Sequence, residues 1–423
     1  MDQRSLITKS MNNLWIQQIC HLNKPVYIWG ARALGCGVLR LAQRERLNIK
    51  GFIDSDTAFK DRKILGYHVY PPTHLKENFI SEKPYVIIAS STSEYTISRL
   101  CEQMGMRKFS DYCISSEICG VEYIIDIVGG CNLACPSCPR GNYHIQPSKG
   151  IMSLKKYEKV VEKILQESPN VSMISLYNWG EPLLHPQLQD FITIKKNKKI
   201  FSSVSTNFNI KNNIKNLVTA KLDMLKVSVS GYFQKNYGVT HFKGDINLVK
   251  SNLYKLRYFM DKLNSEMEVE IIYHKYRNNA GRDLEKFRSL AQELGFSFAE
   301  IFAYYNPVEK VIDYLEGRVV DKDMQLIEKL FISIDEAIGN TEKSKERLCP
   351  LRENQIVINW NGSVSLCCAC YDPKKTIIAD DFLNISLDEI LSLKHKNTLC
   401  KTCMEYGIDQ YYFDTSQRVI EKI

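Results

Sequence analysis

Short apolar runs bounded by turn residues alternate along this chain with longer stretches whose apolar positions recur every three to four residues, the periodicities of buried strands and amphipathic helices. After a helix-like opening stretch, Pro25-Val26-Tyr27-Ile28-Trp29 predicts a buried parallel strand. It runs into Gly30-Ala31-Arg32-Ala33-Leu34-Gly35-Cys36-Gly37, a glycine-rich turn expected to open helix Val38 to Arg44 and to offer backbone N–H groups to an anion. Strand Ile49 to Ile53 ends in Asp54-Ser55-Asp56, where a ribose-binding acid sits in a dinucleotide fold, and strand Tyr85 to Ala89 follows.

From about residue 120 the alternation becomes regular. Strands are predicted at Glu122 to Ile127, Ser172 to Tyr177, Phe201 to Thr206, Met224 to Ser230, Glu268 to Tyr273 and Ser297 to Ala303. Helices are predicted between them at Leu154 to Glu167, Pro186 to Lys195, Ile210 to Thr219, Asn247 to Leu263 and Asp283 to Leu294. Repeated strand-helix units imply a parallel sheet, and this number suits an α/β fold of the partial (β/α)6-barrel type, with its chemistry at the C-terminal ends of the strands. A charged helical stretch, 308 to 345, then leads into a cysteine-rich end. Three domains are expected: 1–118, Rossmann-like; 119–330, the partial barrel; and 331–423, a small cysteine-rich domain.

With 44% hydrophobic and 25% charged residues, the chain reads as globular. No apolar run approaches a membrane span, and Met1 to Ser10 is polar where a signal peptide is apolar, so a cytoplasmic protein is expected. The net charge of +8 comes partly from clusters such as Lys195, Lys196, Lys198 and Lys199. No interleaved aromatics accompany them, so nucleic acid is not an expected partner.

The fourteen cysteines change the picture most. In a reducing compartment, metal ligation is the leading reason for so many. Cys131, Cys135 and Cys138 fall within eight residues, in a loop after the strand that begins at Glu122. Three thiolates are one short of a closed site, so a metal there keeps an open position. A zinc site completed by His144 is the alternative. Six more cysteines lie between 349 and 403. Cys349, Cys367 (after Gly362 and four further residues), Cys400 and Cys403 supply the four thiolates of a second iron-sulfur cluster, or of a structural zinc site. Cys368 and Cys370 are spare, and Cys368 competes with Cys367.

The triad Cys131-Asn132-Leu133-Ala134-Cys135-Pro136-Ser137-Cys138 resembles the signature of radical S-adenosylmethionine (SAM) enzymes. The resemblance implies a 4Fe-4S cluster held by three cysteines, with SAM as an exchangeable ligand of the fourth iron. One electron then cleaves SAM to a 5'-deoxyadenosyl radical, which takes a hydrogen from the substrate. It also implies SAM contacts at later strand ends: Gly180 and Glu181, then Ser205, Thr206 and Asn207, then Ser228, with Glu181 in the motif that receives the methionine amino group. The C-terminal cysteines resemble SPASM and twitch extensions, which implies one auxiliary 4Fe-4S cluster. The first segment resembles the Rossmann-like module of sugar-modifying enzymes, with Gly30, Gly35 and Asp54 as nucleotide contacts or, alternatively, a docking domain.

A flavodoxin or ferredoxin-type electron donor is the expected partner. The expected activity is oxidation or epimerisation of a sugar, nucleotide-sugar or cyclitol; a peptide-modifying maturase is the alternative, and a non-catalytic cluster protein the third reading. His274 is a candidate proton acceptor, Arg277 a candidate clamp for a phosphate or carboxylate, and Cys370 a candidate hydrogen-donating thiol.

Overall fold

The computed structural model describes residues 19, 21, 23–59, 62–90, 93–211, 214–341 and 348–412. Most of the helix-like opening stretch lies outside them. β1 (Val26–Trp29), β2 (Ile49–Ile53), β3 (Lys63–Ile64), β4 (Tyr67–Tyr70), β5 (Tyr85–Ile88) and β6 (Tyr112–Ile114) form a sheet in the order β3-β4-β2-β1-β5-β6. β1 pairs in parallel with β2 and β5, and all four of its residues are buried, as its unbroken apolar run requires.

The turn after β1 differs from expectation. The helix begins at Ala33, so Gly35 and Gly37 lie inside it. A Cβ on Gly35 would stand 1.7 Å from the Gly30 carbonyl oxygen, and Gly30 itself has φ +122° and lies against the Ala89 backbone. The glycines thus serve close helix-strand packing. Asp54 Oδ2 accepts the Ala31 N–H at 2.8 Å, and Oδ1 accepts that of Asp56 at 2.9 Å. The expected ribose-binding acid therefore ties down the turn, and the N–H expected to face an anion is already partnered.

β7 (Glu122–Ile125), β8 (Met173–Ser175), β9 (Phe201–Thr206), β10 (Met224–Val229), β11 (Glu268–Lys275) and β12 (Ser297–Phe302) are neighbours in chain order in a second sheet. Each is followed by helix, the pattern of a partial (β/α)6 barrel. β10 to β12 are parallel, with Ser228 opposite Ile272. At the β7 edge the sheet continues into β13 (Gln355–Ile358), β14 (Val364–Ser365) and β15 (Ile377–Ala379), joined antiparallel to one another.

Residues 234–240, between the predicted strand Met224 to Ser230 and helix Asn247 to Leu263, are helical. Asp283 fixes the entry to this helix: its Oδ1 accepts the N–H groups of Tyr232 (2.7 Å) and Phe233 (3.1 Å), and its Oδ2 accepts Asn236 Nδ2–H. Among the described residues no helix is long and apolar enough to cross a membrane.

The chain divides into two compact units, 1–122 with 161–174 and 193–203, and 123–160 with 175–192 and 204–423. Every side chain of the site below belongs to the second.

Candidate functional site

Cys131, Cys135 and Cys138 are half-buried in the loop after β7. Side-chain amides from the end of β9 hold that loop. Asn132 Nδ2–H donates to the Asn209 carbonyl at 2.7 Å, and Asn207 Nδ2–H donates to Asn132 Oδ1 at 3.0 Å and to Cys131 Sγ at 3.5 Å. The Leu133 N–H also points at Cys131 Sγ. Burial raises all three thiol pKa values, that of Cys138 to about 12, and mutual charge adds to the rise at Cys135 and Cys138.

Thiols that oppose one another's ionisation this way are deprotonated when a cationic centre takes the protons' place. The N–H donors on Cys131 and the nearby Arg140 charge then favour the thiolates. The donor set thus fits the three-cysteine cluster that the sequence implies. His144, the ligand of the zinc alternative, is exposed and stacks on Tyr143. Among the described residues no three His, Cys, Asp or Glu side chains surround a single metal-ion position.

Gly180 and Glu181 brace this loop from the end of β8. A Cβ on Gly180 would lie 1.7 Å from the Val128 carbonyl oxygen, so only glycine lets the two strand ends touch. The Gly180 and Trp179 N–H groups donate to Asp126, and the Glu181 N–H donates to the Gly130 carbonyl at 2.8 Å. Burial raises the Asp126 carboxyl to about 6. The Glu181 side chain also has protein partners. Its Oε1 accepts Thr206 Oγ1–H (2.7 Å) and the Leu183 N–H (3.0 Å), and its Oε2 accepts the Asn207 N–H (2.8 Å). Protein donors hold both oxygens, so the carboxylate clamps β9 to the Gly180 turn. Burial pushes its pKa up to about 7.

Thr206 and Asn207 are thereby fixed beside the triad, while Ser205 and Ser228 sit half-buried on β9 and β10. Asn207→Ala is expected to cut SAM cleavage about 10- to 100-fold, the usual cost of losing a partner of a metal ligand. Iron analysis should show the cluster retained; an unchanged rate would remove Asn207 from the site.

At the next strand ends, Tyr237 and His241 stack at 4.6 Å, and Asn209 Nδ2–H donates to Tyr237 Oη at 2.6 Å. His241 Nδ1 pairs with Ser230 Oγ at 2.5 Å, and its ring lies edge-on to His274 at 6.4 Å. Burial lowers His241 to about 3 and His274 to about 4, so both rings are neutral at pH 7. Arg277 is exposed, and its Nε–H donates to the Leu330 carbonyl at 2.7 Å, so the expected anion clamp points to the surface. The strand end turns at Asn279, whose Nδ2 donates to the carbonyls of Ser230 and His274.

Below pH 6.5 the unfolded chain protonates His241 and the folded chain does not, so this residue withdraws stability as pH falls towards 3. Between pH 6.5 and 5 the loss is about 2 kcal/mol. His241→Asn is expected to remove about 2 kcal/mol of the unfolding free energy that the parent loses between pH 6.5 and 5, read from urea unfolding at each pH; parallel pH dependences for variant and parent would contradict a buried neutral imidazole.

The C-terminal cysteines gather in one core. Cys349, Cys367, Cys370, Cys400 and Cys403 line a common cavity. Cys370 Sγ lies 3.4 Å from Cys367 Sγ, and that hydrogen bond lowers the Cys367 thiol pKa while raising that of Cys370. Cys368 does not line the cavity, and Gln355 Oε1 accepts its N–H. Cys370 is therefore a fifth member of this group, opposite to its expected place as a thiol apart from it. Buried Lys394 donates to the carbonyls of Leu351 (2.6 Å) and Gln355 (2.5 Å), and its charge faces Cys367, Cys349 and Cys400. Four thiolates beside a fixed ammonium make a donor set that fits an anionic iron-sulfur cluster.

No family model matches the chain. Over 255 residues it is 23% identical to the tungsten-containing aldehyde ferredoxin oxidoreductase cofactor-modifying protein of Pyrococcus furiosus, spanning 57% of this chain and 69% of that protein. Among solved structures it is similar to Streptococcus suis SuiB bound to S-adenosylmethionine, with TM-score 0.45 and 15% identity over 67% of this chain and 68% of that one. It is also similar to native anSMEcpe with bound AdoMet, with TM-score 0.42 and 18% identity over 68% of this chain and 87% of that one.

Proposed function

We propose that this chain is a radical SAM enzyme that binds one 4Fe-4S cluster at Cys131, Cys135 and Cys138, and an auxiliary cluster among the C-terminal cysteines. The observation that carries this reading is the hydrogen-bonded union of the three-cysteine loop with the next two strand ends, through Asn132, Asn207, Asn209 and Gly180. It ties down the loop that carries the three thiols. When bound and reduced, such a cluster supplies the electron that cleaves SAM to the 5'-deoxyadenosyl radical. Around it the protein's own groups orient and exclude water: Glu181 fixes β9, and the Tyr237–His241 stack closes the next strand end without adding charge.

The substrate is a small molecule of the sugar or cyclitol class, oxidised or epimerised after hydrogen abstraction. The Pyrococcus relative is described as modifying a cofactor, which supports a small molecule over a peptide. Oxidation is favoured, because Cys370 shares a hydrogen bond with Cys367 inside the auxiliary group, where an electron is more readily received than a hydrogen atom given. The electron that starts the reaction comes from a flavodoxin or ferredoxin.

The test is iron and sulfide analysis with electron paramagnetic resonance of anaerobically reconstituted protein. About eight irons per chain are expected, as two four-iron clusters, and SAM should alter the signal of one cluster only. A signal unmoved by SAM would contradict the open-iron site.

A further inference from the structure

A cleft of about 200 Å³ opens between the residues that follow the triad and the C-terminal strands. Arg140, two residues beyond Cys138, lines it at one side, and Cys370 of the auxiliary group lines it at the other. The cleft therefore touches the auxiliary group and the segment that follows the triad.

Aromatic rings form its walls. Trp179 meets Tyr371 edge-to-face at 6.0 Å, and Trp360 lies so close over Gly129 and Gly150 that a Cβ on either would come 2.3 Å from the indole. Both indole N–H groups are already committed, that of Trp179 to the Cys370 carbonyl (3.0 Å) and that of Trp360 to the Ser148 carbonyl (3.1 Å). What remains for a ligand is flat apolar ring surface, locked in place beforehand. Beside it lie short hydroxyl and amide side chains. Asn359 Nδ2 donates to Ser363 Oγ (3.0 Å) and Ser365 Oγ (2.8 Å), which leaves the Ser365 O–H to donate outward.

Arg140 sets the charge. Its Nε and Nη1 are buried and have no hydrogen-bond acceptor, although its guanidinium lies 5.5 Å over the Tyr371 ring. The acid on the same wall, Asp126, accepts the N–H groups of Trp179 and Gly180 at 3.2 Å and also feels the Arg140 charge, as does the Tyr371 hydroxyl. The buried Nε and Nη1 of Arg140 still have hydrogen-bonding capacity that a planar or tetrahedral oxyanion matches.

We propose that this cleft is the substrate site and takes a polyhydroxylated ring bearing a single carboxylate or phosphate. The ring stacks on Trp360, its hydroxyls meet Ser365 and Asn359, and the anion pairs with Arg140. That the ligand is the substrate rests on the radical SAM reading; the binding chemistry does not.

The test is isothermal titration of the full, anaerobically reconstituted chain, with SAM present and no reductant, against D-glucuronate, D-glucose 1-phosphate and neutral D-glucose. At least one anionic sugar should bind tenfold or more tightly than glucose, and which one does so separates carboxylate from phosphate. Arg140→Gln should weaken the anionic sugar at least tenfold without affecting glucose, Arg140→Lys should lie between, and Trp360→Ala should weaken both classes. The cluster absorbance of each variant reports that it is folded. Binding of neither anion, or equal affinity in Arg140→Gln, would overturn the site. Release of 5'-deoxyadenosine by the same preparation keeps the two readings apart: release without sugar binding sinks the cleft alone, and sugar binding without release sinks the radical reading alone.

Discussion

Cys135→Ala is expected to halve the iron of the reconstituted protein, from about eight to about four per chain, and to abolish SAM cleavage. The thiol is half-buried, and its pKa is driven well up by burial and by the charges of Cys138 and Cys131, so it favours the protonated form until a metal takes the proton's place. Two cysteines leave a four-iron cluster with two open corners, and a second-rank partner alone is worth about 10- to 100-fold. Loss of a ligand should exceed that, at about 1,000-fold or more. The remaining irons belong to the C-terminal group, in a different core, and should survive. The reciprocal variant, Cys349→Ala, should lose the other four. Iron near eight in Cys135→Ala would show that the triad is not a ligand set.

Gly180→Ala should be the most damaging single methyl in the barrel. The added carbon would lie 1.7 Å from the Val128 carbonyl oxygen and 2.8 Å from Asp126 Oδ1. Backbone cannot yield cheaply there, because the flanking N–H groups are held by Asp126 and by the Gly130 carbonyl. Overpacking of this kind costs about 3 kcal/mol or more. Relief by shifting Gly130 moves Cys131 with it. The thermal midpoint should therefore fall by several degrees and SAM cleavage with it; a variant with the parent's midpoint and rate would show that this contact is soft.

Much of the architecture is local and was therefore legible. The helix Leu154–Glu167 and the strand Phe201–Thr206 follow from apolar periodicity alone, and the three cysteines declare themselves by spacing. Partnerships between distant residues are not local. The helix 234–240 carries Gly238, Val239 and Thr240, poor helix formers, and depends on Asp283 some 50 residues away. Asp54 and Glu181 read as strand-end acids, but their protein partners, the Ala31 N–H for the first and Thr206 and Asn207 for the second, lie far off in sequence.

Arg277 shares a strand end with His274, yet the chain turns at Asn279 and carries it outward. Asp126 had a faint signal, a single acid inside the apolar stretch Tyr123 to Val128, whereas Lys394 reads as one of several charges on an amphipathic helix before Cys400. Neither pattern names a partner; only the fold brings Trp179 to the first and Cys367 to the second.

The most direct measurement is the 5'-deoxyadenosine formed from SAM by the anaerobically reconstituted full chain with dithionite. Formation of this nucleoside by the parent protein, dependent on reductant and absent in Cys135→Ala, is the expected result. A fully loaded parent that leaves SAM intact, or a Cys135→Ala protein that cleaves it as fast as the parent, would contradict an open-iron site at Cys131, Cys135 and Cys138.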